Sequence, residues 1–247
     1  MFQARSPEIT LVLPAYNEEE NIASVLADSR ASLERLGRTW EILVVDNHSS
    51  DDTAGVVRQL IREEARVRLI VHDTNRLYSG SCQTALRESR GRYVAIMDSD
   101  GQFTADDLPK FLARLETGAN LVFGWRQRRQ DPWIRKGMSL VFNGLAKFWL
   151  GFPFHDLNVG LRMFDRQFLE KAAIVHAMNM ANPELNARAR QANLVLDEVP
   201  IQHFARTRGK TSHDLAKIVQ LFLRVNRYFR SLHQEIKTGA GKYRTAA

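Results

Sequence analysis

The run Tyr93-Val-Ala-Ile-Met-Asp-Ser-Asp-Gly-Gln102 ends a short apolar segment in two carboxylates and a carboxamide at alternate positions, Asp98, Asp100 and Gln102. Alternate side chains of extended backbone share a face, so the three can point at one spot. Oxygen donors of this kind suit a hard divalent cation that keeps further positions for phosphate. In an open α/β sheet the carboxyl ends of the strands are also where ligands bind. On this segment alone, a solvated acidic turn after a strand reads the same way.

Two other strand ends carry candidate binding groups. Pro14-Ala-Tyr-Asn-Glu18 follows the first apolar run, and its proline, which cannot donate to a ladder, marks the strand's end. Tyr16 and Glu18 then stand where a ring and a carboxylate could hold a nucleobase or ribose. Asp46-Asn-His-Ser-Ser-Asp-Asp52 follows the second run. Asp46 is placed to accept from a base N–H, and Ser50, Asp51 and Asp52 to cap the next helix. Neither a Gly-x-Gly-x-x-Gly nor a Walker sequence is present, so the usual dinucleotide and P-loop fingerprints are missing.

These segments need a scaffold that brings strand ends together, and the apolar pattern supplies one. Strands are expected at Ile9–Leu13, Trp40–Val45, Val67–Val71, Tyr93–Met97 and Leu121–Gly124. Helices are expected at Asn21–Leu36, Asp52–Glu64, Gly80–Ser89 and Ala105–Glu116. Such alternation implies βαβ units, and near-continuous apolar strands imply a sheet covered on both faces. The fold class is therefore α/β with a mostly parallel sheet. Beyond Gly124, Trp125–Lys136 reads as a charged irregular loop and Gly137–Leu150 as an apolar helix. Two more strands are expected at Val159–Phe164 and Leu194–Val199. A long helix from Asp214 to Ile236 has Leu215, Ile218, Val219, Phe222, Val225, Phe229 and Leu232 on one stripe and Lys217, Arg224, Arg227 and Arg230 opposite. The expected division is a domain over 1–213 and a basic amphipathic helix and tail over 214–247.

The 247 residues, 44% hydrophobic, suffice for one sizeable core. A single cysteine, Cys82, excludes an internal disulfide and points to a reducing compartment. No signal peptide and no transmembrane run of roughly 18 apolar residues is evident. A cytoplasmic protein is expected, with a peripheral place at the inner face of the membrane as an extension of that reading. The net charge of +7 is concentrated after Ile201, where ten Lys/Arg face only Asp214 and Glu235. A basic tail suggests a polyanion: phosphate, an anionic membrane or nucleic acid. Phe222, Tyr228 and Phe229 fall on or beside the apolar stripe and form no separate stacking platform, so nucleic acid is not the expected partner.

The order Pro-Ala-Tyr-Asn-Glu18, Val-Val-Asp46-Asn-His-Ser and Met-Asp-Ser-Asp-Gly-Gln102 resembles the family-2 glycosyltransferases of GT-A fold. The dolichyl- and polyprenyl-phosphate mannosyl- and glucosyltransferases are the most similar group. Gly124-Trp-Arg126, Asp156-Leu-Asn-Val-Gly-Leu-Arg162, Glu198-Val-Pro-Ile201 and Arg206-Thr-Arg-Gly-Lys-Thr-Ser212 continue the resemblance, which covers roughly residues 8 to 213. It implies an inverting, metal-dependent transfer of a hexose from a GDP- or UDP-linked sugar to polyprenyl phosphate. The alternative is the same donor chemistry on a soluble hydroxyl acceptor.

By resemblance, Pro14, Ala15, Tyr16, Glu18, Asp46, Asp98, Ser99 and Asp100 would hold the nucleotide-sugar. Asp98, Asp100 and Gln102 would hold Mg²⁺ or Mn²⁺. Arg126 and Arg206 would approach phosphates, and Arg135, Ser139, Asp156 and Arg162 would serve the acceptor. Two plainer readings stand beside these: Arg126 and Arg135 in a solvated basic loop, and Asp156 with Arg162 as a buried ion pair. A hydroxyl acceptor would require a base, for which Asp156 and Glu184 are the candidates. Two departures stand out: Asn47 and His48 replace the family's second Asp and Gly, and Ser212 stands where a phosphate-facing lysine is usual, with Lys210 and His213 nearby.

Overall fold

A computed structural model describes residues 6–127, 133–151, 154–166, 168, 181–205 and 215–238, with side chains described throughout except at 133–136, 215–221 and 238. Seven strands form one sheet: β1 (Ile9–Ala15), β2 (Trp40–Asp46), β3 (Val67–Val71), β4 (Tyr93–Met97), β5 (Leu121–Arg126), β6 (Leu161–Asp165) and β7 (Leu196–Ile201). Their order is β3-β2-β1-β4-β6-β5-β7. All neighbours are parallel except β6, which runs antiparallel to both β4 and β5. The sheet is therefore mixed and mostly parallel, as expected.

Helices α1 (Ile22–Arg35), α2 (Thr53–Ile61), α3 (Leu77–Glu88) and α4 (Leu108–Glu116) make the crossovers of the first half. β1, β2 and β4 are buried along their whole length, the signature of a sheet covered on both faces. Register sets the strand ends level: Ala15 lies opposite Asp46. Met97, the last residue of β4, lies opposite Leu161, the first of β6. The reversed β6 thus starts beside the end of β4 and brings its preceding loop to the ligand edge.

Trp125 and Arg126, expected in an irregular loop, instead extend β5, and α5 (Trp133–Leu150) begins four residues before the expected Gly137. α6 (Ala181–Gln191) and α7 (Leu215–Thr238) complete the described elements. α7 docks onto α5 and α6 through Val225, Tyr228, Phe229 and Leu232, which bury against Ala146, Leu150, Leu157 and Ala187. Full burial of side chains such as Phe229 and Leu232 contributes roughly 1.5–3 kcal/mol each. Trp149 Nε1 donates to Asn226 at 2.8 Å, and Arg188 of α6 pairs with Glu235 of α7 at 2.7 Å. The amphipathic stripe is thus, over its described part, a docking face, with Arg224, Arg227 and Arg230 left exposed.

Candidate active site

The ends of β1 and β2, the turn before α3 and the start of α3 enclose a cavity of about 330 Å³, lined by Pro14, Ala15, Tyr16, Asn47, Asn75, Leu77, Tyr78 and Ser81. Tyr16 and Leu77 stay 50% and 44% exposed at its rim, so two apolar surfaces remain available to a flat ligand. Three of the residues expected to hold a nucleotide, Pro14, Ala15 and Tyr16, meet here. Asp46 does not line the cavity. It lies buried at the end of β2, where its carboxylate accepts from the Ser49 hydroxyl. Glu18 is also buried, its carboxylate accepting from Asn21 Nδ2 at 2.7 Å beside the start of α1. The Ser99 hydroxyl donates to the Pro14 carbonyl at 2.7 Å and so ties β4 to β1. A donor would meet Ser99 through its main chain.

Asn47 is the hub of the cavity wall. Its Oδ1 accepts from the Arg76 N–H at 2.9 Å and from His72 Nδ1 at 2.9 Å, while its Nδ2 donates to Asn75 Oδ1 at 3.0 Å. An ionised aspartate there could accept the first two bonds but not give the third. The departure at Asn47 thus fastens the 72–77 turn to β2. His72 is buried, its Nε2 taking the Thr84 hydroxyl at 2.8 Å, and burial pushes its pKa down, which keeps the ring neutral. His48, where the family has Gly, holds a left-handed φ of 65°, and Leu77 does so at 59°. Histidine adopts such a φ more readily than most residues, whereas at Leu77 it is an outlier, and such strain gathers at ligand sites.

Asp98, Asp100 and Gln102 lie immediately beyond β4. Asp98 is half-buried; its N–H donates to the Gly160 carbonyl at 2.9 Å and its Oδ1 accepts from the Tyr78 hydroxyl at 2.8 Å. Gly101, at φ 76°, turns the chain so that the Gln102 N–H reaches Asp100 Oδ1 at 3.1 Å. Gln102 Nε2 leans on the Phe204 carbonyl at 3.4 Å. Burial first, and then the neighbouring Asp100 charge, push Asp98 up to about 6 against the pull of Tyr78, Arg162 and Arg126. Two crowded carboxylates with a carboxamide beside them fit a divalent cation, which would relieve their repulsion. Among the described residues no cluster of three or more His, Cys, Asp or Glu could hold a metal. Any cation held here would therefore take only part of its shell from these side chains and the rest from phosphate and water.

A cation held at this turn would compete with the proton for Asp98, which gives the metal assignment a pH dependence. The folded-state value of about 6 lies above the ordinary aspartate value near 3.9. The folded state therefore binds the extra proton between those values, and Asp98's contribution to metal-free stability falls as pH rises through that window. Metal affinity has the opposite sense, because ligands must be deprotonated. Mn²⁺ titrations followed by electron paramagnetic resonance should show constant affinity above pH 7 and progressive weakening below 6. Affinity that stays flat to pH 5 would contradict the assignment.

Two expectations for the acceptor side are corrected. Asp156 does not pair with Arg162: both its oxygens are taken by Arg126, at 2.7 Å from Nε and 3.1 Å from Nη2. Arg162 points elsewhere because β6 carries it into the sheet's interior, wholly buried, where it donates to the Tyr78 hydroxyl at 3.1 Å and to Cys82 Sγ at 2.9 Å. It is therefore out of reach of an acceptor. Glu184, 1% exposed, is shut into the α6–α7 interface beside Arg188, which also rules it out as an exposed base. Ser139 is half-buried on α5. The side chain of Arg135, and Arg206, Lys210, Ser212 and His213, lie outside the described residues. Of the expected helix caps, Asp51 accepts from the Thr53 N–H at 3.1 Å, whereas Asp52, at the cap position, makes no such bond.

Against known proteins, the sequence model of glycosyl transferase family 2 matches residues 10–172. This chain belongs to that family. The matched span runs from β1 through β6 and contains every residue of the cavity and of the Asp98–Gln102 turn. The family-2 chain is 28% identical over 217 residues to an undecaprenyl-phosphate 4-deoxy-4-formamido-L-arabinose transferase from Enterobacter sp. (strain 638), covering 87% of this chain and 65% of that protein. It thus spans just under two thirds of the length of the curated relatives it matches. Its fold matches glucosyl-3-phosphoglycerate synthase from Mycobacterium tuberculosis, with a TM-score of 0.67 at 18% identity over 92% of this chain and 80% of that one. A mannosyltransferase from Pyrobaculum calidifontis, solved with GDP-Man and Mn²⁺, matches with a TM-score of 0.62 at 17% identity over 96% and 76%. The GT-A fold expected from the motifs is present.

Proposed function

We propose that this family-2 chain is an inverting, metal-dependent glycosyltransferase that moves a hexose from a nucleotide-diphosphate sugar to a polyprenyl phosphate. The observation that carries the donor half is the adjacency of the Asp98–Asp100–Gln102 turn to the cavity of Pro14, Ala15, Tyr16 and Asn47, the two being joined by Tyr78. A nucleoside in that cavity would lie with its diphosphate toward the turn. Asp98, Asp100 and Gln102 would hold Mg²⁺ or Mn²⁺, which when bound neutralises charge on the departing diphosphate. Arg126, oriented by Asp156, adds a fixed positive charge for the same purpose. Pro14, Ala15, Tyr16 and the Ser99 main chain would contact the nucleotide, with Asp46 and Glu18 behind them.

A phosphate-bearing lipid fits the acceptor half. Such a nucleophile is ionised at neutral pH and needs no base, and both carboxylates considered as bases, Asp156 and Glu184, are held in ion pairs. The names of the curated relatives carry the same kind of acceptor, undecaprenyl phosphate. Arg135 and Ser139, near the start of α5, would take its phosphate. α5 leaves Leu140, Val141 and Phe148 exposed, at 74%, 51% and 76%. An outward apolar stripe with Lys147 beside it suits the interface of an anionic membrane. Among the described residues no helix is long and apolar enough to cross one.

Thermal-shift titration with UDP-, GDP- and their hexose-linked forms, with and without Mn²⁺, tests the donor half, because a specific ligand raises stability by mass action. One base is expected to stabilise the protein, and more strongly with Mn²⁺. Sedimentation with anionic liposomes tests the surface: binding should weaken as salt rises. No shift with any nucleotide would defeat the donor reading, and indifference to liposomes would defeat the lipid one.

A further inference from the structure

Beneath Asp98 lies a chain of hydrogen bonds that the proposed reaction leaves unexplained. Arg162 is wholly buried, yet among the described residues its guanidinium donates to no carboxylate. Nη1 donates to the Tyr78 hydroxyl at 3.1 Å and Nη2 to the Cys82 sulfur at 2.9 Å. Tyr78 in turn donates to Asp98 Oδ1 at 2.8 Å. Burying a guanidinium costs several kcal/mol unless its donors are met, and among the described residues Nε has no partner. A charge kept at that cost, and joined to the site through one hydroxyl, calls for a role.

Three elements converge on this chain. Arg162 comes from β6, opposite Ile96 of β4, while Tyr78 and Cys82 lie one turn apart on α3. Asp98 is gripped on its other side by the residue just before β6, through its N–H to the Gly160 carbonyl and by the absence of a side chain at Gly160, where a Cβ would collide with the carboxylate. An arginine donating to a phenol oxygen polarises its O–H toward the next acceptor, as bonds in a chain strengthen one another. The consequence is one fixed carboxylate orientation, with Oδ1 committed to Tyr78.

We propose that Tyr78 and Arg162 are positioning residues that hold the Asp98 carboxylate in its cation-binding orientation and so set the metal affinity of the donor site. The proposal rests on the donor-site reading above and assigns to Arg162 a task different from acceptor contact. Outer-shell partners that orient a metal ligand typically change metal affinity about 10–100-fold when removed. Tyr78→Phe keeps the ring in the cavity wall and deletes only the hydroxyl.

The test measures Mn²⁺ binding by electron paramagnetic resonance in saturating UDP or GDP, and nucleotide binding by calorimetry in chelator, for wild type, Tyr78→Phe, Arg162→Lys and Asp100→Asn. Tyr78→Phe is expected to weaken Mn²⁺ about 10-fold or more, a larger loss than any change in its nucleotide affinity in chelator. Arg162→Lys, which keeps the charge but cannot reach both Tyr78 and Cys82 with one fork, should shift the Mn²⁺ curve the same way. Unchanged Mn²⁺ affinity in both variants overturns the proposal. So does a Tyr78→Phe loss that is equal with and without metal, since the hydroxyl would then act on the nucleotide directly. Wild type that binds no more Mn²⁺ than Asp100→Asn would instead defeat the donor-site reading itself.

Discussion

Asp100→Asn should lower turnover by at least about 100-fold, the effect of losing one preorganised electrostatic contact worth about 3 kcal/mol. The fold should survive, because Asp100 is half-buried in a turn and its substitution leaves the β4 ladder intact. The Gln102 N–H that Asp100 now accepts would still find the amide oxygen of asparagine. What disappears is the second of two charges that crowd one edge of the sheet. Steady-state rates with saturating Mn²⁺, beside a thermal melt of each protein, check this. A variant that turns over normally would remove the metal from the account.

Gly160→Ala should be nearly as damaging by a different route. A methyl group at residue 160 meets the Asp98 carboxylate and the Phe103 ring, neither of which can withdraw freely. Asp98 is pinned by Tyr78 and by its own N–H, and Phe103 is 8% exposed and packed edge-on against His203. Overpacking of this kind costs about 1–3 kcal/mol in stability. Displacing an oriented ligand weakens metal binding about 10–100-fold. Both losses should appear together, the first in chemical denaturation and the second in the Mn²⁺ dependence of the rate. A Gly160→Ala protein with wild-type Mn²⁺ dependence would show that Asp98 does not need the close approach of β6.

The strands were legible because each is a short, near-continuous apolar run, and β3 and β4 fall on the expected residues. The direction and place of β6 were not. An apolar run from Val159 to Phe164 looks the same parallel or antiparallel, and the insertion of β6 between β4 and β5 depends on long-range pairing. That one uncertainty hid both Gly160 and Arg162. The motif offered Arg162 as an acceptor contact or as a buried ion pair with Asp156; only its place in the sheet interior shows that Tyr78 and Cys82 receive it. The first turn of α3 was missed for a local reason. The expected helix began at Gly80, whereas the chain turns at Leu77, held by Asn75 Oδ1 accepting from the Leu77 N–H at 2.9 Å. Tyr78 and Leu77 thus entered the cavity wall unannounced. The carboxylate pair itself was plain in the sequence, because alternation beyond a strand needs no tertiary information.

The central claim is transfer of a hexose to a lipid phosphate under metal control. Its most direct measurement incubates the full chain with a radiolabelled UDP- or GDP-hexose, undecaprenyl phosphate in detergent and Mn²⁺, and counts label extracted into butanol. The account predicts label in the organic phase that is abolished by chelator and by Asp100→Asn and released by mild acid as free sugar. Label that remains in water, attached to a soluble hydroxyl acceptor or undiminished by chelator, would contradict it.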